Sequence, residues 1–212
     1  MSREIWEIMR KLRGDEIELQ IAFQCAPLIT GLKESNLLNI KKQDYQRMKD
    51  IFKESELTIY PLGIHAGKIT VFLYHRERLE KFFSGESVLA LLHEIGYIDT
   101  DLKQVLPVFR AHYQQYLKEK KVFPHEMGLL LGYPPEDVKG FIRNQGKNYL
   151  YSGYWKVYDR PHEKIRLFKK YEHSREKLIQ LLSYGMRIEE IIAICSNTEI
   201  WQLVDCDCQY AS

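Results

Sequence analysis

Apolar residues recur at three- and four-residue intervals along most of this chain and at two-residue intervals in a few short stretches. Ile5, Ile8, Met9 and Leu12 share one helical face, so a short amphipathic helix is predicted over residues 3–12, with Gly14 placed where a left-handed cap would sit. Ile17, Leu19, Ile21 and Phe23 then alternate with Glu18 and Gln20 until Ala26 and Pro27. This alternation predicts a strand that ends near Cys25. Residues 28–40 read as a loop or short helical turn, and residues 42–55 resume helical spacing through Tyr45, Met48, Ile51 and Phe52. Two β-rich runs, 57–64 and 68–74, flank His65, Ala66 and Gly67 and predict a hairpin.

Helical spacing dominates the remainder. Helices are predicted over residues 79–83, 88–95 (closed by Gly96), 102–117, 126–131, 135–144, about 161–183 and 187–195. The aromatic run from Gly153 to Tyr158 is expected to rejoin the sheet. Strands and helices do not alternate regularly, which favours an α+β fold over a doubly wound parallel sheet. The expectation is a small, mostly antiparallel sheet of about four strands packed with many helices. No linker, repeat or low-complexity run interrupts the 212 residues, so a single domain over 1–212 is expected, its closing helices and tail starting near 181.

Composition narrows the class of partner. Apolar residues make up 45% and charged residues 28%, values that point to an ordinary globular chain. A formal charge of +2 supplies no strong field for polyanions, so nucleic acid is not an expected partner. No apolar run approaches the roughly 20 residues of a spanning helix. A cytoplasmic chain without membrane contact is expected, with Cys25, Cys195, Cys206 and Cys208 as reduced thiols.

Candidate chemistry concentrates between Phe123 and Pro161. The His125-Glu126 pair lacks the second His of a zinc-protease helix, because Leu129 stands in that place. His93-Glu94 reads as a plain helix end beside Gly96. Residues 126–144 also fit a helix-turn-helix spacing, although Pro135, Glu136 and Asp137 would lead the second helix toward phosphates. Tyr149, Tyr151, Tyr154, Trp155 and Tyr158 suit either a stacking surface or a sheet face. Cys25 stands at the predicted strand end with Lys33 nearby, where a cation would favour a thiolate. Its alternative is a small buried hydrophobe. Cys206-Asp-Cys208 is an incomplete metal set.

Several of these segments carry a family resemblance. Cys25-Ala26-Pro27 with Gly31 and Lys33, the VFLYHRERL segment with Tyr74, Arg76 and Leu79, and the Gly96-Tyr97 ending belong to it. The most specific elements are FPHEMGLLLGYPPEDVKGFI from Phe123 and GYWKVY from Gly153 to Tyr158. Through them the chain resembles a family of anaerobic bacteria known only as a domain of unknown function, over about residues 15–180. The resemblance implies one shared domain in an intracellular setting and supplies no substrate.

The leading expectation is a small-molecule or metal-cofactor site, catalytic through a thiol, where the loop after the first strand meets the His125 turn. Cys25, His125 and Glu126 are the candidate catalytic residues and the candidate metal ligands. Lys33, Tyr133, Asp137, Tyr154, Trp155 and Lys156 are the candidate ligand-binding residues. The alternative is a non-enzymatic protein whose 126–144 helix pair docks a protein partner or DNA.

Overall fold

A computed structural model describes residues 16–120 and 123–197 of the chain. The helix predicted over 3–12 and the pair Cys206 and Cys208 lie outside the described residues. In chain order the elements are α1 (Glu16–Ile29), β1 (Ser35–Lys41), a 3-10 turn (Lys42–Asp44), α2 (Tyr45–Ile51), β2 (Leu57–His65), β3 (Lys68–His75), α3 (Arg76–Phe83), α4 (Glu86–Ile95), α5 (Leu102–Glu119), α6 (Met127–Leu130), α7 (Pro135–Arg143), β4 (Tyr151–Ser152), β5 (Lys156–Val157), α8 (Pro161–Ser183) and α9 (Ile188–Ser196). The fold is α+β with small antiparallel sheets. No described helix is long and apolar enough to cross a membrane.

The principal sheet has three strands in the order β1-β3-β2, both pairings antiparallel. Its central strand, KITVFLYH, is buried almost throughout, as an apolar run covered on both faces must be. Side chains of a strand point alternately to opposite faces. Ile69, Val71 and Leu73 therefore enter one core with Leu38 and Ile40 of β1 and with residues of α1, α2, α8 and α9. Phe72 and Tyr74 enter a second core with Leu62 of β2 and with residues of α3 to α7. The predicted hairpin is present, and Ala66 and Gly67, at φ 48° and 74°, form the two-residue turn whose left-handed backbone matches strand twist.

Three sequence expectations fail here. Residues 16–29 form a helix, because Ile17, Ile21, Ala22, Cys25, Ala26, Leu28 and Ile29 make a buried stripe at helical spacing. The same residues alternate over 17–23, and packing along α8 and β1 decides between the two periods. Pro27 falls in the last turn of the helix, close to where it ends.

Residues 35–41, read as loop, form β1. Its asparagines oppose strand by propensity and are held by tertiary bonds. Asn36 Nδ2 donates to the Gln24 carbonyl at 3.0 Å, and Asn39 Oδ1 accepts from Thr70 Oγ1 at 2.6 Å.

The aromatic run does not rejoin the principal sheet. It forms a separate ribbon, Tyr151↔Val157 and Ser152↔Lys156, that packs Trp155 and Val157 on Phe168 and Tyr171 of α8. The backbone N–H groups of Tyr158 and Asp159, which a longer strand would use, donate to Asp137 Oδ1 at 2.7 and 3.1 Å.

Helix α7 reaches this ribbon at Gly140, where a Cβ would stand 2.5 Å from Cβ and Cγ of Tyr158. Tyr158 Cβ cannot swing aside as a side-chain tip could. Gly140→Ala is therefore expected to destabilise the chain by about 1–3 kcal/mol through overpacking. Urea unfolding would show this as a lower midpoint at unchanged slope.

Candidate functional site

The second core is incomplete where α4, α5 and α7 meet the turn that precedes α6. A cavity of about 540 Å³ opens there, lined by apolar residues of these elements and by Glu94, His112, Glu119, His125, Glu126, Lys139 and Arg143. The turn is built by Phe123, Pro124, His125 and Glu126, with N–H groups of Met127, Gly128 and Leu130 bonded back to the carbonyls of Pro124, His125 and Glu126. Its effect is to send the Glu126 carboxyl inward, where only 3% of the residue is exposed.

A buried carboxylate requires donors. Glu126 Oε1 accepts from the Tyr97 hydroxyl at 3.1 Å and from His112 Nδ1 at 2.7 Å. Burial, reinforced by the adjacent carboxylate, pushes the Tyr97 phenol well above its ordinary range and keeps it a donor. A carboxylate oxygen only accepts, so the bond to Glu126 places a proton on Nδ1 of His112, which leaves Nε2 as the nitrogen of the neutral ring without a proton. The His112 side chain is 49% exposed and lines the cavity. Tyr97 meets the imidazole edge-on, with ring centres 6.2 Å apart. At the rim, Lys139 Nζ bonds Glu94 Oε2 at 2.6 Å and holds that carboxyl below its usual range.

His125 borders this cavity and a second of about 200 Å³. Its ring lies between Phe123 and Phe141, at 6.3 and 5.8 Å between centres. Glu126, read from the sequence as its orienting acid, serves His112 instead.

The expected thiol site does not form. Cys25 is fully buried in the first core, whereas both cavities are built from residues of the second core and the ribbon. Burial pushes the thiol up to about 12, with Asn36 Nδ2 3.5 Å from Sγ. A thiol of that kind presents no thiolate near neutral pH. Nor do Cys25, His125 and Glu126 converge as metal ligands, since no group of three or more His, Cys, Asp or Glu among the described residues could hold an ion.

The predicted ligand-binding residues divide. Tyr133, Asp137, Trp155 and Lys156 line the smaller cavity, with Tyr133 stacked on Trp155 at 4.7 Å. Asp137 is buried and already paired: Oδ2 accepts from Trp155 Nε1 at 2.8 Å and Oδ1 takes the two ribbon N–H groups. Lys156 Nζ donates to the Gly146 carbonyl at 2.7 Å. Tyr154 lies apart among Phe168, Tyr171 and Arg175, whose Nη2 donates to its hydroxyl at 2.8 Å. Lys33 is buried beside Asn36, 5.4 Å from the centre of the Tyr133 ring, and desolvation lowers it to about 8.

His93 is the plain helix end expected of it, its Nδ1 bonded to the Tyr97 carbonyl at 2.9 Å. The leading residues of α7 are occupied as well: Glu136 pairs with Arg160 and Lys164, and Asp137 with the ribbon. Helix α6 is a single turn.

Sequence reasoning passed over His112. The only signal was its place beside Tyr113 on the helix that carries Phe109 and Tyr116, and an amphipathic pattern does not say which polar flank faces a buried acid.

Fold and site together define an α+β protein with a helix-lined cavity of small-molecule size and a carboxylate-held imidazole on its wall. The model of a family described as "Protein of unknown function (DUF3793)" matches residues 21–192, and the chain belongs to that family. No curated protein and no solved structure matches the chain significantly.

Two outcomes are expected from substitutions around these cavities. Asp137→Ala strands an indole N–H and two backbone N–H groups, so a loss of about 3 kcal/mol or more is expected in urea unfolding. Lys33 carries a folded value near 8 against 10.5 for an ordinary lysine, so its charge opposes folding below about pH 8. That penalty fades as pH climbs from about 8 toward 10.5, where the unfolded chain also releases the proton. Lys33→Met is therefore expected to stabilise the chain at neutral pH, and the gain should shrink across that window. A gain that stays constant with pH would contradict the assignment.

Proposed function

We propose that this chain binds a small organic molecule in the cavity between α4, α5 and α7 and that His112 exchanges a proton with it. The observation that carries this reading is the Tyr97–Glu126–His112 chain of hydrogen bonds, which ends on a cavity wall. A buried carboxylate that orients an imidazole is a recurring arrangement for general acid–base work, because it sets the tautomer and stabilises the imidazolium as it forms. The cavity volume of about 540 Å³ lies in the range of small-molecule sites.

The lining supports proton transfer over covalent catalysis. Its described residues include no Ser, Thr or Cys, and Lys139 among them is held by Glu94. Leu91, Ile95, Tyr116, Phe123 and Ile142 suit an apolar body, while Arg143 offers a charge to a polar end. Cys25 takes no part in this proposal. Both described cysteines, Cys25 and Cys195, are free thiols, which supports the cytoplasmic setting.

The test is an NMR titration of the ¹⁵N-labelled chain against a panel of small organic acids, amines and phosphate esters. Neutral His112 is expected as the Nδ1–H tautomer, with its Nε2 signal moved by at least one panel member. The His112→Phe variant, checked for native circular dichroism, should bind that compound about tenfold or more weakly, the effect of one lost charge-assisted hydrogen bond. A panel that leaves His112 untouched, or equal binding by the variant, would overturn the proposal.

A further inference from the structure

Within the fold, only one oxygen of the Glu126 carboxylate is used. The Tyr97 hydroxyl and His112 Nδ1 both bond Oε1, and Oε2 accepts from none of the described residues. Among those residues, the side-chain polar atoms that are both sealed from solvent and unpartnered belong to His125, Tyr158, Arg175 and Glu189. Glu126 Oε2, unpartnered and not one of these, therefore keeps accessible surface, part of the 4% that this side chain exposes where it lines the larger cavity.

A carboxylate oxygen only accepts, so an open one selects for a donor, and most strongly for a charged donor. The surrounding charges do not reverse that choice. Lys139 and Glu94 bond each other, and Arg143 is exposed, so water screens its charge. Glu126 is buried, where less water intervenes and its charge acts more strongly on whatever enters the cavity. An anion placed at Oε2 would meet repulsion, and a cation attraction.

We infer that the ligand of the larger cavity is an amine with an apolar body: its ammonium group donates to Glu126 Oε2, and its hydrocarbon lies against Leu91, Ile95, Tyr116 and Ile142. This assignment rests on the small-molecule reading above and names the ligand class for it. The two oxygens of Glu126 thereby divide the work, Oε1 orienting His112 and Oε2 anchoring the ligand beside it. An ammonium group donates and never accepts, which matches an oxygen that can only accept.

The experiment titrates the full chain, ¹³C- and ¹⁵N-labelled, at neutral pH with three probes of matched shape: 2-phenylethylamine, 2-phenylethanol and 3-phenylpropionate. The amine is expected to bind about tenfold or more tightly than the alcohol, a difference of about 1.4 kcal/mol or more, and the propionate more weakly than either. Binding of the amine should move the side-chain carboxyl ¹³C signal of Glu126. Glu126→Gln should bring the amine down to the alcohol while the alcohol still binds. On the unaltered chain, NOEs from the amine probe's ring to the Leu91 and Ile95 methyl groups should locate it in the cavity, whatever the folding of the variant.

Equal affinities for amine and alcohol would mean that water alone serves Oε2 and would overturn the inference. So would tighter binding of the propionate, an amine preference that survives in Glu126→Gln, NOEs confined to other surfaces, or no binding of the amine at millimolar concentration. The His112 ¹⁵N signals report separately on proton exchange. An amine bound at Glu126 with an inert His112 would defeat the acid–base proposal and leave this one standing, whereas an acid or phosphate ester that moves His112 Nε2 while the amine stays free would do the reverse.

Discussion

The structure depends on a strand buried on both faces. In β3, Ile69, Val71 and Leu73 project into one core and Phe72 and Tyr74 into the other, so the described helices pack against one of two separated apolar surfaces or against the ribbon. Burial of each of these side chains is worth about 1.5–3 kcal/mol, and a one-residue slip in register would exchange the two cores. The two-residue turn at Ala66 and Gly67 and the partner strands on either side hold that register. The division places Cys25 in one core and the cavities with the other.

Two buried carboxylates flank the α6–α7 pair and serve different ends. Asp137 is enclosed by an indole and two backbone donors, which fastens the ribbon to α7. Glu126 is also buried, but its donors are a phenol and an imidazole, and that imidazole lines a cavity. A buried charge is tolerated only when it is well bonded, and the choice of donors decides what the charge can influence. Fastened to backbone, it acts on the fold; fastened to an imidazole, it acts on whatever meets that imidazole.

The parts of this arrangement legible in the sequence share a local cause. The hairpin, the Gly96 cap at φ 107° and the extents of α4, α5, α7 and α8 follow from turn chemistry, capping and periodicity within about 20 residues. The segment from Phe123 to Pro161 is the one the sequence singles out, and the cavities do involve it, with Glu126, His125, Tyr133, Asp137, Trp155 and Lys156 on their walls. Each misreading turned on a remote partner instead. Over 17–23 two periods fit the same residues, β1 needed β3 to pair its asparagine-rich backbone, and the ribbon was detached by a carboxylate about twenty residues earlier.

By itself, then, the sequence determined where most helices begin and end, that a small antiparallel sheet accompanies them, and which segment carries the unusual density of polar and aromatic groups. These properties reside in neighbours along the chain. Only the tertiary structure decided that Cys25 is fully buried, that Glu126 belongs to His112, and that His125 borders two cavities. Those facts depend on which face of β3 each helix covers, and such pairings form between residues far apart in sequence, where no local pattern records them.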